Sequence, residues 1–516
     1  MSRSRALNRI NRIIQQQIAE SGSERALVSR RHVLKLGALA FGALALPKAS
    51  RSTIVSRTPR IGIVGAGISG LTAALTLQDS GLPCTIYEAS DRIGGRMHSN
   101  ADFWQQGQVS EWCGEFINTD HYLIRQLAAR FGLPLVDVNA ADPRDSIDTN
   151  YFFGAYCSPE QLVQDIKPIV PIIKEQRQAI GSVVRYNHYT PSAYYFDHIT
   201  AYDWIETYVP GGHDSVLGRY LNLAIVTLNG LDTAQQSALN LIGPNYSDES
   251  YHTQGGNQQI PAAIANSLPK GTIQQGWSLT AVAANGDRTV TLSFSTPQGT
   301  QEITFDAVIL TLPFSVLRNL DLSRANFDAL KMTAIAQLGY GTNSKLVLQF
   351  DSRYWNARGA WPGISNGFIE TDLPFQSTWD SSRAEAGVDG LLTDYTGGTP
   401  GAAYRPEGPY TNSLDSPTTA AYARQFLDQL DQVWPGGSQH YLGLAALSYP
   451  SGDPHLLGSY SAYKPGQLTG FAGYEGVAQG SVFFGGEHCS VEFQGYMEGG
   501  AQEGRRAALE VLAAVG

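Results

Sequence analysis

Beyond residue 50, apolar residues first cluster at Ile61, Ile63 and Val64, a short strand leading into a glycine turn, and the Leu71 to Leu77 run after the turn takes up helical spacing. A second strand, Thr85 to Tyr87, is closed by Glu88. Gln126 to Leu133 reads as a short helix, and Val136 to Tyr151 is polar and turn-rich. From Ser158 to Leu241 the pattern is amphipathic and helical, with Leu162, Ile166, Ile169, Ile172 and Ile173 near helical spacing. Gln254-Gly255-Gly256-Asn257 breaks it before a helix over Ile260 to Leu268. Thr289 to Phe294 and Glu302 to Phe305 alternate as paired strands about a Pro297-Gln298-Gly299 turn, and Asp306 to Pro313 is a buried strand with a proline stop. Lys345 to Phe350 alternates as a strand, whereas Ala357 to Tyr410 is glycine-rich and loop-like. The chain closes with a strand at Val482 to Phe484, a Gly485-Gly486-Glu487-His488 turn and a helix from Met497 to Leu512.

The first turn is a G-x-G-x-x-G, with Gly65, Gly67 and Gly70 between strand and helix, and Glu88 follows 21 positions after Gly67 at the end of the second strand. Glycines there let the backbone approach a pyrophosphate, the helix start supplies N–H donors, and the acidic side chain accepts from ribose hydroxyls. Gly94-Gly95-Arg96 adds a second turn carrying a cation for the same charge. The fold class expected is α/β: a Rossmann-type dinucleotide-binding domain interleaved with a mixed α+β substrate domain that contains a helical insertion. The closing strand and helix look like Rossmann elements returning after a long excursion. The approximate division gives 57–133, 250–333 and 453–516 to the cofactor domain and 134–249 with 334–452 to the substrate domain.

Composition narrows the functions. A net charge of -10 and no basic tract with interleaved aromatics argue against nucleic-acid binding. Four dispersed cysteines, Cys84, Cys113, Cys157 and Cys489, lack ligand spacing, so buried thiols are expected and no metal site. Residues 1–50 read as a twin-arginine export leader, with Arg30-Arg31 before the apolar run Leu36 to Leu46. That run is short of the roughly 20 residues a membrane span needs. The twin-arginine translocase is the partner expected during export, with a periplasmic or extracellular destination and no permanent membrane span. A homodimer is left open.

The G-G-R extension, together with Phe483-Phe484-Gly485-Gly486-Glu487-His488 and Gly495-Tyr496-Met497-Glu498-Gly499-Gly500, resembles the flavin amine oxidase family over nearly the whole chain from Arg60 onward. The resemblance implies FAD held by Gly65, Gly67, Gly70, Glu88, Gly95, Arg96, Gly486, Glu487 and Met497. It implies hydride transfer from the carbon beside nitrogen, an imine product, and hydrogen peroxide from oxygen. Tyr460, in Gly458-Ser459-Tyr460, and Tyr496 match an aromatic pair flanking the amine. Lys345 matches a lysine that reaches the flavin through a water and assists the oxygen reaction. Covalently flavinylated members carry cysteine where this chain has Ser459, so noncovalent FAD is implied. His488 is read as structural or cofactor-adjacent, and His121 and His252 as surface residues.

L-amino-acid oxidases of the superfamily often carry a carboxylate-binding arginine after the G-G-R turn, where this chain has Trp112-Cys113-Gly114-Glu115-Phe116-Ile117-Asn118. A primary amine, diamine or polyamine is therefore the expected substrate, with Phe116 beside it and Glu115 attracting a second ammonium group. An L-amino acid is the alternative. A quinone- or cytochrome-linked dehydrogenase and a noncatalytic FAD-binding protein are further rivals.

Overall fold

The computed structural model describes residues 58–243 and 248–515. The expected twin-arginine leader, residues 1–50, and with it the expected translocase contact, lies outside the described residues. Five parallel strands, Ile61–Val64, Thr85–Glu88, Ile273–Gln275, Ala307–Leu310 and Val482–Phe484, form one sheet. Taken by place in the chain, their spatial order is 3-2-1-4-5, the first five positions of the doubly wound dinucleotide-binding order. Helix Ile68–Asp79 and the closing helix Met497–Val515 pack together over the sheet. A Cβ on Gly504 would stand 2.0 Å from the Ser69 carbonyl oxygen, so glycine sets how closely these two helices approach.

An eight-stranded sheet forms the second body, in the order 410–412, 441–448, 344–350, 390–396, 377–380, 365–371, 147–152 and 155–157. Its register sets Ser448, Lys345, Tyr395, Ser377, Glu370 and Asn150 in one row across the strands, and directly opposed side chains share a face. A four-stranded sheet of Ser278–Ala284, Val290–Thr296, Gly299–Phe305 and Asp321–Arg324 lies beside the parallel sheet through the Tyr87, Phe294 and Phe305 rings.

Between Pro159 and Ile242 the chain is helical. Ser158, Thr190, Thr200 and Ser215 each accept the N–H three residues on, so four of the helices start on a side-chain cap. Their apolar faces meet around Trp204, Tyr220, Leu221 and Ile225.

Several elements differ from the sequence expectation. Leu135–Asp137 and Ile147–Phe152 are strands within the supposed turn-rich stretch. The short helix begins earlier, at Tyr122. The glycine-rich stretch after Ala357 contributes Ser365–Thr371, Ser377–Asp380 and Gly390–Thr396, which are largely or wholly buried. All four cysteines are free thiols, with Cys113 and Cys489 buried and Cys84 and Cys157 half-buried. Among the described residues no helix is long and apolar enough to cross a membrane, and no cluster of metal-ligating side chains occurs.

Candidate active site

One elongated cavity runs from the carboxyl ends of the first two strands to the start of the closing helix, lined by Gly65, Gly67, Glu88, Gly95, Arg96, Phe116, Gly486, Glu487, Tyr496 and Met497. It lies where chemistry is expected in an open parallel sheet. Gly70 does not line it. Its role is packing, because a Cβ there would stand 1.9 Å from the Gly65 carbonyl oxygen.

The walls fit a dinucleotide. Gly67 and Gly95 face each other, and a Cβ on Gly95 would stand 3.3 Å from the Gly67 Cα, filling a gap that now stays open. No side chain caps helix Ile68–Asp79, so its first N–H groups remain available to an anion. Ser69 Oγ, beside them on the wall, is buried without a hydrogen-bond partner among the described residues. Glu88 is oriented from behind, accepting from Ala66 N at 2.7 Å and from Ser90 N and Oγ. A flavin dinucleotide would fit this set: Glu88 would take a ribose, the Gly67–Gly95 gap the pyrophosphate, and Gly486, Gly495 and Met497 would flank its far end.

Glu487 is the organising anion of that far end. It accepts from Arg96 Nη1 at 2.9 Å, Ser461 N and Oγ, and Gly495 N at 2.6 Å. Burial alone would raise its carboxyl, but the charges of Arg96 and His488 and the bonds from Ser461 and Arg96 outweigh burial and bring it to about 2. Arg96 also donates to the Ser459 carbonyl at 2.9 Å, tying the G-G-R turn to the segment before Tyr460. His488 is buried beneath, its pKa pushed down to about 3 chiefly by burial, and its ring centroid lies 4.4 Å from that of Phe314. It does not line the cavity.

The substrate-side residues are only partly gathered. Phe116 and Tyr496 line the cavity. Tyr460 does not: it is fully buried, donates to the Thr227 carbonyl at 3.0 Å and shares a 3.0 Å hydrogen bond with the Tyr395 hydroxyl. Glu115 is not a free carboxylate awaiting a second ammonium group. Its Oε1 accepts from Trp379 Nε1 at 2.8 Å and Ser381 Oγ at 2.9 Å, and its Oε2 pairs with Lys345 Nζ at 2.6 Å. Burial would raise the Glu115 carboxyl, but the Lys345 charge and these bonds hold it below the usual carboxylate range. Lys345 faces the interior as its strand pattern predicts, 3% exposed, with Nζ also donating to the Glu111 carbonyl. The surface reading of the two histidines is corrected: both are buried, and His121 stands edge-on to Tyr496 at 5.0 Å between ring centroids.

Arg92, Thr311, Trp277 and the Asp453 to Leu457 strap also line the cavity and escaped the sequence reading. Arg92 had a local signal, three residues before Gly95. The strap had none, since it reaches the site only through tertiary packing.

The model for flavin containing amine oxidoreductases matches residues 68–179 and 195–512. The chain belongs to that family. This flavin amine oxidoreductase is 24% identical to the L-amino-acid oxidase of Siganus canaliculatus over 89% of its own length and 86% of the relative's. It is 22% identical to polyamine oxidase 3 of Oryza sativa subsp. japonica over 88% and 89%. Its fold matches cyclohexylamine oxidase from Brevibacterium oxydans IH-35A with a TM-score of 0.74 at 20% identity, covering 89% of this chain and all of that one. The flavin amine oxidoreductase therefore has an α/β fold, binds a flavin and acts as an oxidoreductase on amines.

Proposed function

We propose that this chain holds FAD noncovalently and oxidises an amine with an apolar or aromatic substituent, passing electrons to oxygen. FAD supplies, when bound, an acceptor for the hydride on the carbon beside nitrogen. The residues present do the rest: the cavity takes up the cofactor, the Phe116 and Tyr496 rings orient the amine and exclude water, and the resulting imine is hydrolysed to a carbonyl compound. Noncovalent binding is supported by Ser459, a serine that is fully buried and donates to Asn343 Oδ1 at 2.8 Å.

The observation that carries the substrate class is the pairing of the nearby cations. Arg96 is held by Glu487 and Arg92 by Asp453. Arg383, whose guanidinium carbon lies 5.6 Å from the Phe116 ring centroid, is held by Asp142 at 3.2 Å. A substrate carboxylate would have to displace one of these partners, whereas an apolar amine meets aromatic faces. With Glu115 already paired to Lys345, the diamine and polyamine branch of the expectation loses its anionic anchor.

The test is anaerobic mixing of the FAD-loaded protein with apolar primary amines, diamines, polyamines and L-amino acids, followed by oxygen. Bleaching by apolar monoamines, with one peroxide per substrate, is expected. Bleaching by L-amino acids alone refutes the substrate class, and slow reoxidation without peroxide refutes oxygen as the acceptor. Export by the twin-arginine route fits a cofactor inserted before transport. Replacing Arg30 and Arg31 by lysine would then trap the flavoprotein in the cytoplasm, and unchanged export would sink that reading.

A further inference from the structure

Glu115 sits between Gly114 and Phe116, which both line the cofactor cavity, yet its own side chain points into the eight-stranded sheet. Three groups of that sheet region hold it: Lys345 from the strand Ser344–Phe350, Trp379 from Ser377–Asp380, and Ser381 just beyond. Lys345 has a second polar partner, the Glu111 carbonyl, and its Nζ lies 5.4 Å from the Trp379 ring centroid. Both charged residues are almost entirely excluded from solvent, with side chains 3% and 4% exposed. A buried ammonium without a counter-ion gives up its proton, and a buried carboxylate without one takes a proton up.

We propose that Glu115 is a positioning residue for Lys345: the neutral ion pair fixes the Lys345 ammonium behind the Gly114–Phe116 wall and rivets that wall to the eight-stranded sheet. The two chain segments are joined here across 230 positions of sequence, and the rivet couples the cofactor side of the molecule to its substrate side. A dipole fixed in this way behind the wall costs no reorganisation when charge develops in the cavity in front of it. The proposal rests on the reading of the cavity as an FAD site, and it is independent of which amine is oxidised.

Other titratable groups face the pair. Glu111, whose carboxyl burial pushes up to about 8, Glu385, pushed up to about 7, and His252 all interact with Glu115 or Lys345, and Arg383 acts on His252. These groups are present in every variant below. The readout is therefore the protonation step that one substitution adds and a second removes.

The full-length chain is prepared native, as Glu115→Gln, as Lys345→Met and as the double variant, each stripped of flavin and titrated with FAD. The visible flavin absorption of each complex is then followed between pH 6 and 10 without substrate. Glu115→Gln is expected to add a protonation step to the flavin spectrum, from the orphaned Lys345 amine, and to weaken FAD binding by about tenfold or more. Glu115→Asp, which keeps the charge, should restore the native curve. The double variant should lose the added step and bind FAD more tightly than Glu115→Gln. A Glu115→Gln curve that superimposes on the native one, or a double variant that keeps the added step, overturns the proposal. If Glu115→Gln is recovered only unfolded, the double variant decides: a folded, FAD-binding protein supports the pair and an unfolded one overturns it. Native chain that takes up no FAD refutes the cofactor reading itself, and that result is seen before any variant is compared.

Discussion

At the scale of single residues, the site depends on contacts too close for one extra carbon and on buried charges with one arrangement each. Gly70→Ala would force the added methyl against the Gly65 carbonyl. Such overpacking costs about 1–3 kcal/mol, so FAD affinity should fall by about tenfold or more, read from flavin retained per protein after gel filtration. His488 gives a pH signature. Its folded pKa, about 3, lies below the ordinary 6.5, so between those values the unfolded chain binds the proton and the folded chain does not. Stability is full above pH 6.5 and falls as pH drops toward 3 at up to about 1.4 kcal/mol per pH unit. Glu487 acts in the same direction lower down, its contribution lost between pH 4.5 and about 2. In His488→Gln the denaturation midpoint should fall less steeply between pH 6.5 and 4.5. An unchanged slope there would show that other groups govern acid stability.

At the scale of elements, the closing helix is held by small residues along the face that meets helix Ile68–Asp79. Gly504→Ala would press a methyl onto the Ser69 carbonyl and should lower unfolding free energy by about 1–3 kcal/mol in urea titrations. Leu509→Ala, at a half-exposed position of the same helix, should stay within about 0.5 kcal/mol and serves as control. The contrast between elements also explains what the sequence disclosed. The glycine turn, Glu88 and the apolar strands beside them were legible because a phosphate site needs local spacing and a parallel sheet needs apolar runs. The strands Ser365–Thr371, Ser377–Asp380 and Gly390–Thr396 were not legible. They are buried yet carry Ser, Asn, Glu, Thr and Asp, some of whose side chains find partners across strands, as when Thr378 Oγ1 donates to the Gly367 carbonyl. Such polar residues read as loop when their partners lie outside the window. Glu115 misled for a related reason: a carboxylate near a predicted pocket looks available until the lysine 230 residues away is placed beside it.

For the whole molecule, the cavity is shared between the parallel sheet, the Asp453 to Leu457 strap and the start of the closing helix. A ligand that binds only when all three are assembled stabilises the entire fold by mass action, about 4 kcal/mol at a thousand times its dissociation constant. FAD should therefore raise the melting temperature of the flavin-free chain in a concentration-dependent, single transition. A rise confined to one of two separate transitions would mean that the two bodies unfold independently.

The 3-2-1-4-5 order of the parallel sheet has a temporal side. Its central strand, Ile61–Val64, is made well before the edge strand Val482–Phe484, Glu487 and the Tyr496 turn that complete the site. A chain halted short of them owns the glycine turn and most of the cavity wall but lacks Glu487, Tyr496 and Met497 at its far end. A cavity with its full lining therefore exists only once synthesis has passed Gly500, and a yellow preparation would report that the chain was made at least that far as well as that it folded.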